Sequence, residues 1–217
     1  MDYFISDMHF GHKKVIGYCN RPWKTVQEMN DGMVRRWNHS ITDGDRVFVV
    51  GDVFLMDPKD ATPIVNSLNG YKILIAGNHD RSEKTMLACG FDEYHREYDY
   101  MLEGFGPGLL KHYPLPDIVI VDRGYSFMVH GHIHDPPMLR GLKINVAVDV
   151  NDFKPVSELN LMEVMPLLTN KSEQEVFDVS IVDGRVDAKI LVDSADFSGV
   201  SDTIYRMLKQ YCRKGKR

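Results

Sequence analysis

The feature that most constrains this chain is a set of five short apolar runs, each of which ends on Asp, Asn or His. In the clearest case, Arg46 to Val50 contains four consecutive β-branched or aromatic residues, a pattern typical of a strand buried on both faces of a sheet. Gly51 and Asp52 follow at once. Glycine permits a sharp turn, and the carboxyl ends of strands are where open α/β sheets place their ligands. The run therefore predicts a layered α/β fold with a site beyond the strand ends.

The other four runs have the same form. Their polar endings are Asp7-Met8-His9 after Tyr3 to Ser6, Gly77-Asn78-His79-Asp80 after Ile73 to Ala76, His112 after Leu109 to Lys111, and His130 to His134 after Phe127 to Val129. Strand ends can share one rim, so we expect the five endings to converge on a single site. Carboxylate, amide and imidazole groups are the ligands that a pair of transition metals needs.

Helical patterns alternate with the first three strands. They cover Lys13 to Tyr18, Val26 to Asn38, Pro58 to Leu68 and Ser82 to Cys89. The second helix has apolar residues at the i, i+3, i+4, i+7 spacing of a buried face, and the third begins with Asp57 as N-cap and Pro58 at its first position. Strands that alternate with helices indicate a layered α/β domain with its helices outside.

From Phe91 onward the pattern changes to consecutive strands with turns that contain Gly and Pro. The predicted strands cover Glu93 to Leu102, Leu109 to Tyr113, Tyr125 to His130 and Leu142 to Val150. This part of the chain therefore predicts a second, largely antiparallel sheet.

The chain has 217 residues, of which 43% are hydrophobic, enough for one domain with a proper core. Ligand-type residues stop after Lys154-Pro155. We therefore expect residues 1–155 to form the core that carries the site and residues 156–217 to form an extension packed on the same domain. The extension is predicted to contain a helix at Ser157 to Met165, a hairpin of Phe177 to Val182 and Val186 to Val192 around Asp183-Gly184, and a helix at Val200 to Tyr211.

The net charge and the hydropathy of the chain limit which binding partners we expect. The net charge of −5 and the pI near 6.0 provide no global basic field, so a nucleic-acid substrate needs a local patch. The chain has neither a cationic start followed by an apolar segment nor a run of about eighteen apolar residues, so we expect no membrane contact and a cytoplasmic location. The three cysteines lie far apart, which favours reduced thiols. The oligomeric state, monomer or dimer, stays open.

Seven side chains supply enough oxygen and nitrogen donors for two metal ions with open coordination positions. They are Asp7, His9, Asp52, Asn78, His112, His132 and His134. A carboxylate can hold one ion with each oxygen, and we predict Asp52 as the bridge. A water shared by two cations loses its proton near neutral pH, and the cation pair clamps a phosphoryl group for in-line attack. We predict that His79 gives a proton to the leaving oxygen or stabilises its charge, and that Asp80 orients His79.

Five motif blocks occur in order: Asp7-x-His9, Gly51-Asp52, Gly77-Asn78-His79-Asp80, His112 and Gly131-His132-x-His134. Together they resemble the motif set of the calcineurin-like metallophosphoesterases, and the resemblance covers about residues 1–155. It implies an α/β (α+β) fold, a four-layer α-β-β-α sandwich with two mixed sheets.

The resemblance also implies which residues hold two divalent metal ions and which residue is catalytic without being a ligand. It assigns metal one to Asp7, His9, Asp52 and His134, metal two to Asp52, Asn78, His112 and His132, and catalysis to His79. We expect manganese first, with iron, zinc, nickel or magnesium as alternatives.

Two differences from the motifs of the Ser/Thr protein phosphatases indicate which branch of the family this chain resembles. The chain lacks the Gly-Asp-x-x-Asp-Arg-Gly motif of the Ser/Thr protein phosphatases, and Asp80 stands where those enzymes have Glu. It is more similar to the small bacterial and phage phosphoesterases, in which phosphodiesterase activity is frequent. We therefore predict hydrolysis of phosphodiesters in nucleotides or nucleic acids by a metal-bridging hydroxide. A phosphomonoesterase is the alternative within enzymes. A catalytically silent protein-binding scaffold is another, and the presence of His79 argues against it.

Three further residues are candidate contacts for a substrate phosphate: Arg21, Arg81 and His12. Each has a competing structural role, since both arginines are also suited to surface salt bridges and His12 to the surface of the protein. The Arg213 to Arg217 cluster is either a nucleic-acid contact or a solvated tail.

Overall fold

The structure, a computed structural model, describes residues 1–135, 138–168, 177–182 and 185–190 of the chain. Its strands are β1 (Asp2–Ile5), β2 (Arg46–Val49), β3 (Tyr71–Ile75), β4 (Glu93–His95), β5 (Tyr98–Leu102), β6 (Gly106–Leu110), β7 (Phe127–His130), β8 (Leu139–Arg140), β9 (Lys143–Asn145), β10 (Val156–Ser157), β11 (Phe177–Val182) and β12 (Arg185–Ile190). Its α-helices are α1 (Lys13–Tyr18), α2 (Val26–Ser40), α3 (Pro58–Asn66), α4 (Glu83–Ala88), α5 (Asp117–Asp122) and α6 (Glu158–Leu168). A 3-10 turn covers Val148–Val150.

The first sheet has the strand order β10-β1-β2-β3-β4. Strands β1 to β4 are parallel, and β10 pairs with β1 in the antiparallel direction. Ile5 lies opposite Val49, and Val49 lies opposite Leu74, so the first three strands end level with one another. The loops that follow β1, β2 and β3 therefore leave the sheet from one edge.

The second sheet has the order β5-β6-β7-β9-β8 and is mixed. Strands β6, β7 and β9 are parallel, whereas β5 and β8 pair antiparallel at the two edges. The largely antiparallel sheet expected from strand order was wrong, and the mixed sheet implied by the family resemblance is confirmed. The reason is α5, a helix that was not predicted. It connects β6 to β7, and a parallel pair requires such a crossover.

Two predicted strands also differ in extent. The run from Glu93 to Leu102 is divided between the two sheets, because β4 joins the first sheet and β5 the second. The run from Leu142 to Val150 forms only the three-residue strand β9 before it turns into the 3-10 segment.

Apolar side chains of both sheets fill the space between them. Phe4 stacks on Phe48 with ring centroids 5.3 Å apart, and Tyr100 of the second sheet meets both rings edge-on. On the outer side of the first sheet, Trp37 of α2 belongs to the buried cluster that includes the other faces of β1, β2 and β3. On the outer side of the second sheet, Ile120 of α5 belongs to the smaller cluster. The four layers α-β-β-α are therefore confirmed.

Residues 156–168 contribute to the same core. Strand β10 pairs with β1, and α6 buries Leu161, Val164 and Leu168 in the cluster between the two sheets. Strands β11 and β12 form an antiparallel pair. The boundary at residue 155 stays a prediction. The expected Asp183-Gly184 turn, the expected helix at Val200 to Tyr211 and the Arg213 to Arg217 cluster lie outside the described residues. Within the described part of the chain, no helix combines the length and apolar character needed to cross a bilayer.

Phe48 is expected to be one of the side chains on which stability depends most, because it is fully buried and contacts the rings of Phe4, Tyr98 and Tyr100. We expect Phe48→Ala to lower the free energy of unfolding by about 3–5 kcal/mol in urea denaturation. Ile118→Ala, at a position 63% exposed on α5, is the matched control and should change it by less than about 0.5 kcal/mol. Equal losses in the two variants would contradict the four-layer core.

Candidate metal centre

The loops after β1, β2, β3, β6 and β7 bring the seven predicted ligands into one cluster. Asp52 Oδ2 lies 3.7 Å from His9 Nε2 and 3.4 Å from His112 Nε2. Asn78 Oδ1 lies 3.1 Å from His112 Nε2. The last two candidates are His132, whose ring lies 5.3 Å from that of His112, and His134, whose Nε2 lies 3.6 Å from Asp7 Oδ1.

Within this cluster, two groups of three side chains have ligand atoms close enough to hold a cation. One group is Asp7, His9 and His134, and the other is Asp7, Asp52 and His112. Asp7 is common to both groups, whereas the sequence analysis predicts that Asp52 bridges the two ions. The bridging role of Asp52 stays a prediction, supported by its distances to both His9 and His112.

Four of the candidate ligands have strained backbone conformations. Asp7, His9, Asp52 and His132 have φ angles of 58°, 49°, 57° and 69°, a region that residues with a side chain rarely adopt. Such a conformation costs about 1–3 kcal/mol and persists only where the surroundings enforce it. Here the loops after β1 and β2 bond to each other, since Asp7 N donates to Gly51 O and His9 N donates to Asp52 O. Strain at the ligand positions is typical of a functional site.

Each of three motif glycines leaves room for a ligand side chain. A Cβ at Gly51 would lie 2.5 Å from Nδ1 of His112, and one at Gly77 would overlap the Asp52 carboxylate. A Cβ at Gly131 would overlap the Asp7 carboxylate. The Gly-Asp, Gly-Asn-His and Gly-His motifs therefore contain glycine because a ligand from another loop occupies the space of its side chain.

Asp7 is fully buried, and its two carboxylate oxygens have different surroundings. Oδ2 accepts hydrogen bonds from Ser6 Oγ (2.6 Å) and from the backbone N–H of His132 (2.9 Å). Oδ1 has no hydrogen-bond partner among the residues that the structure describes. Burial raises the pKa of Asp7, and the neighbouring His112 and His134 lower it only in part. A buried carboxylate oxygen without a donor requires a proton or a cation, and a cation fits the surrounding donors.

His112 and Asp52 form a second group of atoms that a cation would link. His112 Nδ1 lies 2.8 Å from Val50 O, and because a carbonyl can only accept, Nδ1 carries a hydrogen and Nε2 faces Asp52. Burial tends to raise the pKa of Asp52, but hydrogen bonding to His112 and other contacts lower it to about 2. Burial tends to lower the pKa of His112, yet the Asp52 and Asp7 carboxylates raise it overall. A metal ion would replace the proton between these two side chains.

His9 and His134 lie side by side, with stacked rings 5.2 Å apart. Burial lowers the pKa of His9 to about 3, so its ring is neutral and available as a ligand. His134 Nδ1 lies 2.6 Å from Asp149 Oδ2. Burial tends to lower the pKa of His134, but Asp149 and then Asp7 raise it overall. Asp149 was missed as a site residue, because nothing in the sequence pairs it with a histidine fifteen positions earlier.

The two residues predicted to be catalytic differ in exposure and partners. The His79 side chain is 45% exposed at the rim, its ring lies 5.6 Å from that of His9, and its backbone N–H donates to Asp52 Oδ1. Asp80 was expected to orient His79. Instead, its carboxylate accepts hydrogen bonds from the backbone N–H groups of Asp52, Val53 and Gly77, so it holds the β2 and β3 loops together.

The candidate phosphate contacts are placed in three different ways. Arg21 is buried, and its Nε, Nη1 and Nη2 donate five hydrogen bonds inside the protein, so it is neither a surface residue nor free to bind a substrate phosphate. His12 is half-buried, with its ring 5.7 Å from that of His9. Arg81 is exposed. Substrate contacts by His12 and Arg81 stay predictions.

This chain is similar to several known proteins. The family model described as calcineurin-like phosphoesterase matches residues 3–207. "Uncharacterized protein MJ1445" of Methanocaldococcus jannaschii is 35% identical over 164 residues, which are 71% of this chain and 85% of that protein. The solved structure of AQ665, a protein of unknown function from Aquifex aeolicus, is 26% identical with a TM-score of 0.64, and the match covers 76% of this chain and 98% of that one.

The glycine geometry leads to a test of the metal site. We expect Gly77→Ala to weaken Mn²⁺ binding by about tenfold or more, because the new Cβ displaces the Asp52 carboxylate. Isothermal titration calorimetry measures the affinity. Gly17→Ala is the control, since a Cβ at Gly17 meets nothing within 4 Å. Unchanged affinity in the Gly77 variant would show that Asp52 does not bind the metal.

The raised pKa values of His112 and His134 predict how metal binding changes with pH. Their protons stabilise the metal-free protein below about pH 6.5, and this contribution is lost as the pH rises through the raised pKa values. Metal binding must release the same protons, so Mn²⁺ affinity should increase from about pH 6 to about pH 8. Titrations in buffers of different ionisation enthalpy count the protons released. An affinity that is independent of pH would contradict the assignment of these two ligands.

Proposed function

Because the chain belongs to the calcineurin-like phosphoesterase family, we propose that it is a binuclear metal-dependent hydrolase that cleaves phosphodiesters in nucleotides or nucleic acids. The observation that carries the proposal is the fully buried Asp7 carboxylate, whose Oδ1 has no hydrogen-bond partner among the described residues and faces His134 Nε2. A folded protein keeps such an atom where a cation completes its environment.

In this proposal one metal position is formed by Asp7, His9, Asp52 and His134, and the other by Asp52, Asn78, His112 and His132. When bound, two divalent cations lower the pKa of a shared water and stabilise the charge on the phosphoryl group. The donor set of carboxylate, amide and imidazole groups suits manganese, and also iron, zinc, nickel or magnesium, better than metals that prefer thiolates.

His79 is proposed as the group that protonates the leaving oxygen. Its exposed ring lies at the rim, whereas His9 and His112 are buried and directed at the carboxylates. The hydrogen bond from its backbone N–H to Asp52 Oδ1 ties His79 to the metal site. A proton donor for the leaving group must reach the substrate from the solvent side, and His79 has that position.

Two features favour a diester over a monoester. The Arg21 guanidinium beside the centre has no donor left for the additional negative charge of a monoester. Tyr113 is 45% exposed, and its ring lies 4.2 Å from that of His132, so it offers an aromatic surface to the second ester group of a diester. Hydrolysis of monoesters is the alternative activity. A cytoplasmic location stays a prediction.

The test is hydrolysis of bis-p-nitrophenyl phosphate by the purified full chain with Mn²⁺. We expect activity that Asp52→Asn and His79→Asn each reduce by at least about 100-fold, in the range usual for a lost acid or a lost metal-ion contact. His39→Asn, at an exposed position of α2, is the control and should keep full activity.

The outcomes separate the alternatives. Faster release of p-nitrophenol from the monoester than from the diester would favour the phosphomonoesterase. Absence of release from either substrate across the series of divalent metals would support the scaffold instead of the enzyme.

A further inference from the structure

A buried ion pair lies behind the metal centre, and neither partner is among the seven predicted ligands, although Asp149 lies within ligand distance of Cys19 and His134. Arg21 precedes α2 in sequence, and Asp149 lies in the 3-10 turn after β9, so the pair joins residues 128 positions apart. Arg21 Nε donates to Asp149 Oδ1 (2.8 Å), and Nη2 donates to Asp149 Oδ2 (2.9 Å). Relative exposures of 0% for the Arg21 side chain and 4% for that of Asp149 make this bidentate pair almost fully desolvated.

The Asp149 end of the pair holds a metal-ligand candidate. Asp149 Oδ2 accepts the hydrogen on His134 Nδ1 at 2.6 Å. A carboxylate can only accept, so in the neutral ring, the form that binds a metal ion, this bond places the hydrogen on Nδ1 and leaves the lone pair of Nε2 directed towards Asp7 Oδ1, 3.6 Å away. A carboxylate that fixes the tautomer and ring orientation of a ligand histidine raises the affinity of a metal site.

The Arg21 end of the pair holds the strained loop after β1. Arg21 Nη2 donates to the backbone carbonyl of Asp7, and Nη1 donates to that of Met8, each at 2.8 Å. These two carbonyl groups belong to the backbone between Asp7 and His9, the two residues of this loop with positive φ angles. Each carbonyl accepts a hydrogen bond from the same rigid, buried guanidinium. One ion pair therefore restrains three candidate ligands of the same metal position.

From these contacts we propose that Arg21 and Asp149 are positioning residues for the metal position formed by Asp7, His9 and His134. The inference rests on the proposed function, because it assumes two metal positions. The position around Asp52 and His112 has other supports: the Val50 carbonyl holds His112, and the Asp80 carboxylate holds the backbone of Asp52. Loss of the ion pair should therefore affect one metal position and spare the other.

The choice of variants follows from the burial of the pair. Removal of one partner leaves an uncompensated buried charge, which destabilises the whole protein, whereas replacement of both partners by apolar residues of similar size often preserves stability. We therefore choose the double variant Arg21→Met with Asp149→Leu. A second double variant, Arg21→Met with Asp149→Asn, restores an oxygen that can accept the His134 Nδ1 hydrogen.

The control is a second Arg–Asp pair, which lies at the ends of β1 and β2 that are opposite to the metal loops. Arg46 donates to both oxygens of Asp2, near the amino ends of β2 and β1 and therefore away from the metal loops. Asp2→Leu with Arg46→Met removes a bidentate Arg–Asp pair there, although the Arg46 side chain is 52% exposed and Arg21 is fully buried. It should lower the melting temperature without changing either metal affinity.

Calorimetric titration of the full chain with Mn²⁺ provides the test. The wild type should bind two equivalents. The double variant Arg21→Met with Asp149→Leu should weaken one of them by about 10- to 100-fold and leave the other unchanged, and the variant that carries asparagine should recover part of the loss. In the zinc-loaded protein, nitrogen NMR should show that the slowly exchanging hydrogen on His134 Nδ1 is lost when leucine replaces Asp149.

Two unchanged equivalents in the leucine variant would overturn the inference and leave the proposed function intact. Equal weakening of both equivalents would overturn it as well, because it would indicate general loosening of the fold. If the leucine variant does not fold, the double variant Arg21→Met with Asp149→Asn decides, because it lacks the Arg21 contacts to the Asp7 and Met8 carbonyls. An unchanged affinity there rejects the positioning role. A wild type that binds no Mn²⁺ would instead reject the proposed function, and with it the inference.

Discussion

The burial of one carboxylate, Asp7, is the constraint on which the rest of the site depends. Removing an ionised group from water is costly unless donors or cations surround it. Ser6 and the backbone of His132 satisfy one oxygen, and His134 faces the other. The backbone of Gly131 approaches this carboxylate so closely that a Cβ there would overlap Asp7 Oδ2. The loops after β1 and β7 therefore supply the groups that surround the Asp7 carboxylate.

The fold supplies the rigidity that such an arrangement needs. Parallel strands that end level with one another place the loops after β1 and β2 side by side, and backbone hydrogen bonds between those loops continue the sheet. Residues with side chains then adopt the left-handed conformation at Asp7, His9 and Asp52, which an isolated loop would avoid. The stability of the two-sheet core offsets this strain, and the strain in turn directs the ligands inward.

Polar contacts between residues that are distant in sequence also hold the ligand loops in place. Arg21 reaches from the segment before α2 to the turn after β9, and Asp80 reaches back from the third motif to the second. Both side chains bond mainly to groups that position ligands, yet neither function is visible in a local pattern. The sequence analysis assigned Arg21 to the surface or to a substrate phosphate, and Asp80 to His79, because each was judged by its neighbours along the chain.

The residue pattern of the chain is sufficient to predict the layered α/β class, strands β1 to β3 of the first sheet, the helices on its outer face, and the seven ligand candidates, since strand burial and strand endings are local signals that repeat five times. The direction of the strands in the second sheet emerges only in the folded protein, because α5 has the sequence Asp-Ile-Val-Ile-Val-Asp, and its four β-branched residues favour a strand over the helix that connects β6 to β7. Tertiary structure also decided the backbone strain at the ligands and the Arg21–Asp149–His134 contacts, because these depend on residues that meet only after the two sheets have packed.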